Sequence, residues 1–371
     1  MKNKNEKQIA MVGNQKKKDD GIKRFSFSAF NSYKCPLHWK LNYVDKLRIY
    51  KPSIYGIFGT TCHEIIQDYL TVMYNKSLKE SSYMNLNEMF VDRFFKIFKE
   101  EQAKTDDKIV QSFSEIEEMI EQFKNIIKDF KTKWKMYFNV RDYELIGIEK
   151  TIETPLYTRN DDKINSETLK FYGFVDVIMR NKKTGIITII DLKTSYKKWS
   201  KDKENSSKDQ LLFYKYYFYQ QYKKQYNIEK LNDIVVMFII LKRNVWQPED
   251  VDFVISHVAK IVPACKVAMK KSIKNFKSEI ANIYEVSEDG LSHKLIDREF
   301  TPIKSTENCK WCSFKNTDHC PLWKTKVKKI KVKKVIVIEK KDIKVETIEE
   351  KMEEVKNPKT FHGRINKIMG K

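Results

Sequence analysis

The sequence predicts an α/β protein with a central mixed sheet flanked by helices, and three stretches carry this prediction. Two apolar segments rich in Val and Ile flank a polar turn at 181–185, which is the pattern of a β-hairpin. The run 233–241 is continuously apolar and rich in β-branched residues, as expected for a strand buried on both faces. Helical periodicity of apolar residues dominates 86–137. We therefore expect a buried sheet with a helical insertion before its central strands.

The predicted hairpin brings two acidic residues together. A symmetric hairpin centred at 183–184 places Asp176 opposite Asp191, roughly 5 Å apart across the strands. Since side chains alternate along a strand, Asp191 and Lys193 share one face and Leu192 points away. Two carboxylates this close repel each other unless a cation lies between them, and an oxygen-rich site suits Mg²⁺ or Mn²⁺. We therefore expect a divalent metal site beside Lys193.

A second motif follows the hairpin, on an expected helix over 208–222. Gln210 and Tyr214 are four residues apart, so both project from one face of that helix. They are candidates to position a water molecule, Lys193 or a phosphate, because a bound metal lowers the pKa of water and stabilises charge on a phosphate. The alternative is a surface hairpin with ordinary charges at its ends. The joint occurrence of these motifs favours the catalytic interpretation.

The combined pattern resembles the PD-(D/E)XK nuclease superfamily, specifically its RecB-like branch. Asp176 matches the first invariant acid of the family, and Asp191-Leu-Lys193 matches its D/E-x-K element. Gln210 and Tyr214 match the motif that the RecB-like branch adds. The resemblance implies a restriction-endonuclease-like fold and metal-dependent hydrolysis of phosphodiester bonds.

The resemblance, which covers about 25–323, also implies roles for these residues. Asp176 and Asp191 are expected to bind the metal, with the backbone carbonyl of Leu192 as a further ligand. Lys193 is expected to orient water or stabilise charge, while the Gln-x-x-x-Tyr pair organises the substrate side.

A histidine and a glutamate outside the hairpin extend the candidate site. An apparent helix over about 60–74 follows two glycines and contains His63. RecB-like nucleases have a similar helix whose histidine ligates the metal, so the resemblance implies that His63 is a ligand, with Glu64 and Gln67 as nearby alternatives. In the family, a carboxylate from the first core strand sometimes assists. Glu149 occupies that region, although a solvated strand residue is the favoured interpretation.

Four cysteines have the spacing of an inorganic site. Cys309 and Cys312 form a C-x-x-C motif, Cys320 follows, and Cys35 is the best available fourth ligand. Four thiolates hold either a [4Fe-4S] cluster or tetrahedral Zn²⁺. RecB-like nucleases of the AddB and CRISPR-associated type carry one cysteine before the nuclease motifs and three after them, so the resemblance implies a [4Fe-4S] cluster. Structural zinc and free thiols are the alternatives, together with a disulfide, which a reducing cytoplasm disfavours. His319 is a substitute ligand beside Cys320.

The charge of the chain favours a polyanionic partner. The formal net charge is +22 with a pI near 9.4, which attracts nucleic acid and gains from counterion release. An AT-rich coding sequence is an alternative source of the lysines. The weaker candidates for nucleic-acid contact combine lysines for phosphates with a tryptophan for base stacking. They are Lys197, Lys198, Trp199, Lys201, Lys242 and Arg243. A flexible, solvated loop is the alternative for the first four.

The chain is expected to contain one large domain between two tails. The expected segments are a disordered basic tail at 1–22, a nuclease domain at 23–323 (helical part about 60–140, catalytic core about 143–245, cysteines at 35 and 309–320), and a basic flexible tail at 324–371. A long helix is expected over 248–276. We expect no membrane span, since no run of about 20 apolar residues occurs. No secretory signal is visible, so we expect a cytoplasmic location in a bacterium or phage-infected host cell.

These observations predict a divalent-metal-dependent deoxyribonuclease, an exonuclease on single-stranded DNA or DNA ends in replication, recombination or repair. The chain has no P-loop motif, so any ATP-driven helicase partner must be another chain. One alternative is a noncatalytic DNA-binding or scaffolding subunit with the same fold and cluster. Another is a zinc-containing RNA nuclease. The presence of every catalytic residue type favours the enzyme.

Overall fold

The computed structural model describes residues 21–47, 52–105, 113–157, 166–196, 199–243, 254–258, 263–305, 309–310 and 312–323. The expected tails at 1–20 and 324–371, together with Lys197, Lys198 and the side chain of Lys201, lie outside that description.

Eight helices and eight strands make up the main elements of the described residues. In chain order they are β1 (Lys23–Phe25), α1 (Phe27–Ser32), α2 (Pro36–Trp39), α3 (Ile54–Asn75), α4 (Leu78–Tyr83), α5 (Leu86–Gln102), α6 (Phe113–Tyr137), β2 (Tyr143–Tyr157), β3 (Ser166–Asn181), β4 (Ile187–Ser195), α7 (Lys201–Tyr222), β5 (Ile234–Lys242), β6 (Val254–Val258), α8 (Pro263–Ala281), β7 (Tyr284–Val286) and β8 (His293–Leu295).

A mixed sheet lies at the centre, as predicted. The order along it is β1-β3-β4-β5-β6, and β2 pairs with β3 along most of its length. The β3–β4 and β5–β6 pairs are antiparallel, whereas β1–β3 and β4–β5 are parallel. Since β2 occupies one edge of β3, β1 and β4 share the other edge. β1 pairs with 169–171 and β4 with 177–180, so a gap at 172–176 separates them.

Helices cover both faces of this sheet. On one face α3, α5 and α6 form an apolar layer against the central strands, with Phe90 and Phe123 stacked at a centroid distance of 4.0 Å. Burial of one such ring contributes about 2–3 kcal/mol. On the other face α7 and α8 pack against the sheet, with Phe171 and Tyr217 stacked at 4.2 Å. The sheet is therefore buried on both faces, as its β-branched runs predict.

Four expected boundaries are wrong, namely those of the sheet, α7, α8 and α3. The helix expected over 248–276 begins only at Pro263, and β6 (Val254–Val258) precedes it. The β-branched residues of 254–258 favour a strand, and proline is well suited to the first turn of a helix. The sheet also starts earlier than 143, at β1, which is too short to show strand periodicity. α7 starts at Lys201 rather than 208, because Ser200 caps it by accepting the backbone N–H of Lys203.

α3 starts at Ile54, so the two glycines before the expected start at 60 lie inside the helix. A Cβ at Gly59 would lie 2.9 Å from Oγ1 of Thr194 in β4. This glycine therefore allows α3 to approach the sheet closely. In the described part of the chain, no helix has the length and apolar character that a membrane crossing requires.

Candidate active site

The site lies where β3 and β4 separate. Their pairing runs from Arg180 opposite Ile187 to Val177 opposite Ile190, which is the register predicted for the hairpin. Beyond Val177 the ladder ends, and Oδ2 of Asp176 accepts the backbone N–H of Leu192 at 2.7 Å. The carboxylate thus satisfies a strand donor that β3 no longer reaches, and it is held against β4.

A buried carboxylate on β4 joins two of the predicted motifs. Asp191 is 1% exposed, and its Oδ2 lies 2.6 Å from Nζ of Lys193. Its Oδ1 accepts a hydrogen bond from Nε2 of Gln210 at 3.0 Å. The same amide lies 3.2 Å from the hydroxyl of Tyr214. The D-x-K element and the Gln-x-x-x-Tyr motif are therefore in direct contact.

α3 places a histidine beside the other carboxylate. Nδ1 of His63 lies 3.7 Å from Oδ2 of Asp176. Of the two alternatives to His63, Glu64 is engaged elsewhere, because its Oε2 pairs with Arg93 at 2.5 Å. Gln67 faces the site, and its Nε2 lies 3.4 Å from the backbone oxygen of Asp176.

Glu149 on β2 also reaches this region, which its sequence context indicated only weakly. It is exposed, as expected, but its Oε1 accepts a hydrogen bond from Nε2 of Gln67 at 2.6 Å. Its φ of 46° is in the left-handed region, which is uncommon for a residue other than glycine. The sequence carries no turn residue that would signal this conformation.

Burial dominates the electrostatics of the site. It raises the pKa of both Asp176 and Asp191 to about 6, against the opposing attraction of Lys193. Burial and the positive charge of Lys193 lower the pKa of His63 to about 4. Burial and the nearby charge of Asp191 raise the pKa of the Tyr214 hydroxyl. At neutral pH the site therefore contains two carboxylates, kept charged at a cost, and a neutral imidazole.

This donor set fits a hard divalent cation. Carboxylates and neutral imidazole are the forms that bind metal ions, and Oδ2 of Asp191 is buried without a hydrogen bond of normal geometry from any described residue. Within the described residues, however, no three His, Cys, Asp or Glu side chains stand in a ligating arrangement. Nζ of Lys193 lies against Asp191 instead. The carbonyl of Leu192 stays a predicted ligand, since the contact shown is through its N–H.

The weaker nucleic-acid candidates have different positions. Trp199 is half-buried and packs on Phe238, with ring centroids 5.1 Å apart, so it is part of the core rather than an open stacking surface. Lys242 ends β5 opposite Ser195. Arg243 follows it, and its guanidinium lies over the ring of Tyr55 at 4.5 Å.

The four predicted cysteine ligands line one cavity, of about 140 Å³. Cys320 is buried, and the cavity is formed by Cys35 from the start of the domain and by Cys309, Cys312 and Cys320 from its end. None of the four forms a disulfide bond with another described cysteine. Burial, together with the neighbouring Cys35 and Cys320, raises the pKa of the Cys312 thiol. The chain ends of the domain therefore meet at one thiol-rich pocket.

A forked mixed sheet with one buried and one partly buried acid, a lysine and a helical histidine at the fork is the arrangement expected of a metal-dependent nuclease. The family comparison agrees, because the model for the PD-(D/E)XK nuclease superfamily matches residues 24–320, and the chain belongs to this superfamily. Members of the superfamily generally use Mg²⁺ or Mn²⁺.

Two further comparisons add little to this assignment. No curated protein matches the chain significantly. A solved structure named "Crystal structure of SSO0001" is similar at 14% sequence identity, over 78% of this chain and 96% of that chain, with a TM-score of 0.26.

Gly173→Val is expected to disturb the site through Tyr214. A Cβ at position 173 would lie 3.0 Å from Cε1 of Tyr214 and 3.7 Å from Cε1 of Phe171, so a branched side chain there displaces the tyrosine ring. We expect a loss of about 1–3 kcal/mol in the free energy of unfolding, measured by urea denaturation. Gly173→Ala should cost less. Because Tyr214→Ala removes the ring that clashes, the double variant should lose less stability than the sum of the losses in the two single variants. A double variant less stable than that sum would contradict the proposed clash.

Proposed function

We propose that the chain is a divalent-metal-dependent deoxyribonuclease of the RecB-like branch, an exonuclease on single-stranded DNA or DNA ends. The observation that supports this most is the buried carboxylate of Asp191, which contacts Lys193 and Gln210 and lies beside the fork occupied by Asp176. Superfamily membership supports the same reaction class. The net charge of +22 supports a nucleic-acid substrate.

In this proposal His63, Asp176 and Asp191 hold the ion, with the carbonyl of Leu192 as a further ligand. When bound, such an ion lowers the pKa of a water molecule and stabilises charge on a phosphate. Lys193 stabilises negative charge that develops on the phosphate and orients the attacking water.

The remaining residues of the proposed site act through their neighbours. Gln210 fixes one oxygen of Asp191 and is itself in contact with the hydroxyl of Tyr214. Because both come from α7, that helix sets the orientation of the acid on β4. Gln67 and Glu149 lie on the opposite side, where Gln67 links α3 to β2 and β3. We propose that this pair positions the end of β3 that carries Asp176.

Digestion of labelled DNA tests the proposal. The substrates are linear single strands with a blocked 5′ or 3′ end, a circular single strand and a blunt duplex, each with Mg²⁺ or Mn²⁺. An exonuclease degrades the linear strands and leaves the circle intact. The end whose block prevents degradation is the end from which the enzyme starts, and it therefore gives the polarity of cleavage. Cleavage of the circle would instead indicate an endonuclease. Failure to cut any substrate with either metal would favour the noncatalytic DNA-binding subunit.

We further propose that Cys35, Cys309, Cys312 and Cys320 hold a [4Fe-4S] cluster, with structural zinc as the alternative. Support comes from their shared cavity and from the resemblance of their spacing to that of RecB-like nucleases. For the whole protein we propose DNA as the substrate and a cytoplasmic location. A separate helicase or recombination protein is the proposed partner.

Divalent-metal affinity is expected to rise as the pH increases through about 6. Asp176 and Asp191 both have a pKa of about 6 in the metal-free protein, so below that pH each must release a proton when the ion binds. His63, with a pKa of about 4, is already neutral at pH 5 and above and adds no proton. The slope of log affinity against pH should approach about two below pH 6 and flatten above it.

Calorimetric titration with Mn²⁺ from pH 5 to 7.5, in two buffers with different ionisation enthalpies, measures both the affinity and the protons released. The Asp191→Asn variant should bind more weakly and with a slope near one. An affinity independent of pH would contradict ligation by these two acids.

A further inference from the structure

A group of aromatic and cationic side chains lies beside the candidate active site without a role in it. The guanidinium of Arg243 lies 4.5 Å from the ring centre of Tyr55 and 5.9 Å from that of Tyr196. It also lies 5.6 Å from the ring centre of Phe58, which is fully buried. Tyr55 and Tyr196 are 52% and 44% exposed. One partly buried cation therefore anchors two tyrosines whose rings are open to solvent.

These residues belong to the elements that carry the site. Tyr196 follows the last residue of β4, three positions after Lys193, which is roughly 10 Å along a strand. Tyr55 is in the first turn of α3, eight residues before His63, which is roughly 12 Å along a helix. The backbone N–H of Arg243 donates to the carbonyl of Ser195 at 2.8 Å. The group is thus fixed to the same framework as the candidate catalytic residues and lies within reach of a neighbouring nucleotide.

The chemistry of the group selects one kind of ligand. Exposed aromatic rings next to a cation bind nucleobases by stacking, and the cation attracts the adjacent phosphate. Bases in a duplex are already stacked and paired, so the surface suits an unpaired base. The net charge of the chain, +22, repels a basic partner and attracts a nucleic acid.

We propose that Tyr55, Arg243 and Tyr196 form a stacking platform for an unpaired base next to the cleaved phosphate. The platform selects single-stranded nucleic acid or frayed ends over intact duplex. That the platform lies next to the cleaved phosphate rests on the proposed nuclease function. That it binds single strands does not.

Binding measurements test the platform separately from catalysis. Fluorescence anisotropy of a labelled single-stranded oligonucleotide, with Ca²⁺ as the divalent ion, is compared for the wild type and for Tyr55→Ala and Tyr196→Ala. We expect each alanine variant to bind about fivefold more weakly or worse, because loss of one stacked base has an effect of that size. Tyr55→Phe and Tyr196→Phe should stay within about twofold of the wild type, since they keep the aromatic face. Tyr83→Ala, at a tyrosine 74% exposed on α4, is the matched control and should have no effect.

Two further substrates identify stacking as the cause. A blunt duplex should lose little affinity in the alanine variants. In a series of oligonucleotides with one abasic position each, one position should weaken wild-type binding as much as Tyr196→Ala does. The same position should add no further loss in that variant, because the interaction is already absent.

Wild-type affinity in both alanine variants, equal losses for single strand and duplex, or additive losses at every abasic position would each overturn the platform. If one alanine variant does not fold, the other alanine variant and its own abasic series decide. A chain that binds as expected but cuts nothing would contradict the nuclease function and leave the platform supported.

Discussion

Lys193→Met is expected to lower the rate constant for DNA cleavage by about 10²–10³-fold, the usual effect of removing one group that stabilises transition-state charge. In the structure its ammonium lies 2.6 Å from Oδ2 of Asp191, and its side chain is 32% exposed. The ammonium is therefore held by a buried acid, while the lysine side chain stays partly open to solvent. Loss of the charge should lower kcat and change KM little, since the interaction develops mainly in the transition state.

Single-turnover cleavage of a linear single strand in saturating Mg²⁺ measures this effect. Lys79→Ala, at an exposed lysine on α4, removes the same charge away from the site and serves as the control. A rate within about threefold of the wild type for Lys193→Met would contradict a role for this lysine in the reaction.

Stability measurements separate a catalytic role from a structural one. The pKa of Asp191 is raised to about 6 by burial, so the folded, metal-free protein binds more protons at this group than the unfolded chain does between pH 4 and 6. The contribution of this group to stability therefore falls as the pH rises through that window and stays low at pH 7. Asp191→Asn removes the buried charge, so we expect an inactive variant that is more stable by about 2 kcal/mol in EDTA at pH 7. A structural acid would give the opposite sign.

The register of the hairpin could be predicted because it depends on local rules. The polar turn at 181–185 and the β-branched segments on both sides determine which residues face each other, and Val177 does lie opposite Ile190. The contact between Gln210 and Asp191 follows from helical spacing plus the packing of α7 on the sheet. Both depend on short sequence separations and on patterns that the residue types express directly.

The features that could not be predicted depend on tertiary structure. Glu149 has a left-handed backbone and its side chain contacts Gln67, 82 residues earlier in the chain, and no local residue pattern indicates either feature. β1 is a three-residue strand whose partner, β3, lies more than a hundred residues further on. The core position of Trp199 depends on its packing against Phe238 of β5, later in the chain, and the polar residues around it in the sequence do not indicate this contact.

Substitution of any one of the four cavity cysteines by serine is expected to abolish the visible absorption of an iron–sulfur centre and to destabilise the domain strongly. Cys35 immediately precedes α2, and Cys320 packs with Leu41 and Phe314 in a small apolar cluster. That cluster is much smaller than the two layers on the sheet, so apolar packing at the cavity itself contributes little to the free energy of folding. A four-thiolate centre would add to it, because binding of such a centre is coupled to folding.

Absorption spectra and iron and zinc analysis of anaerobically purified protein, followed by thermal unfolding, test this expectation. Cys35→Ser and Cys309→Ser should lose the metal and lower the melting temperature by about 10 °C or more, because a loss of several kcal/mol has an effect of that size. Cys62→Ala is the matched control. Cys62 is fully buried in the helical layer, away from the cavity residues, so this variant should keep the wild-type metal content despite some loss of packing. Zinc without iron would support the structural zinc site in place of the cluster. A wild-type protein with neither metal would contradict a metal centre at this cavity.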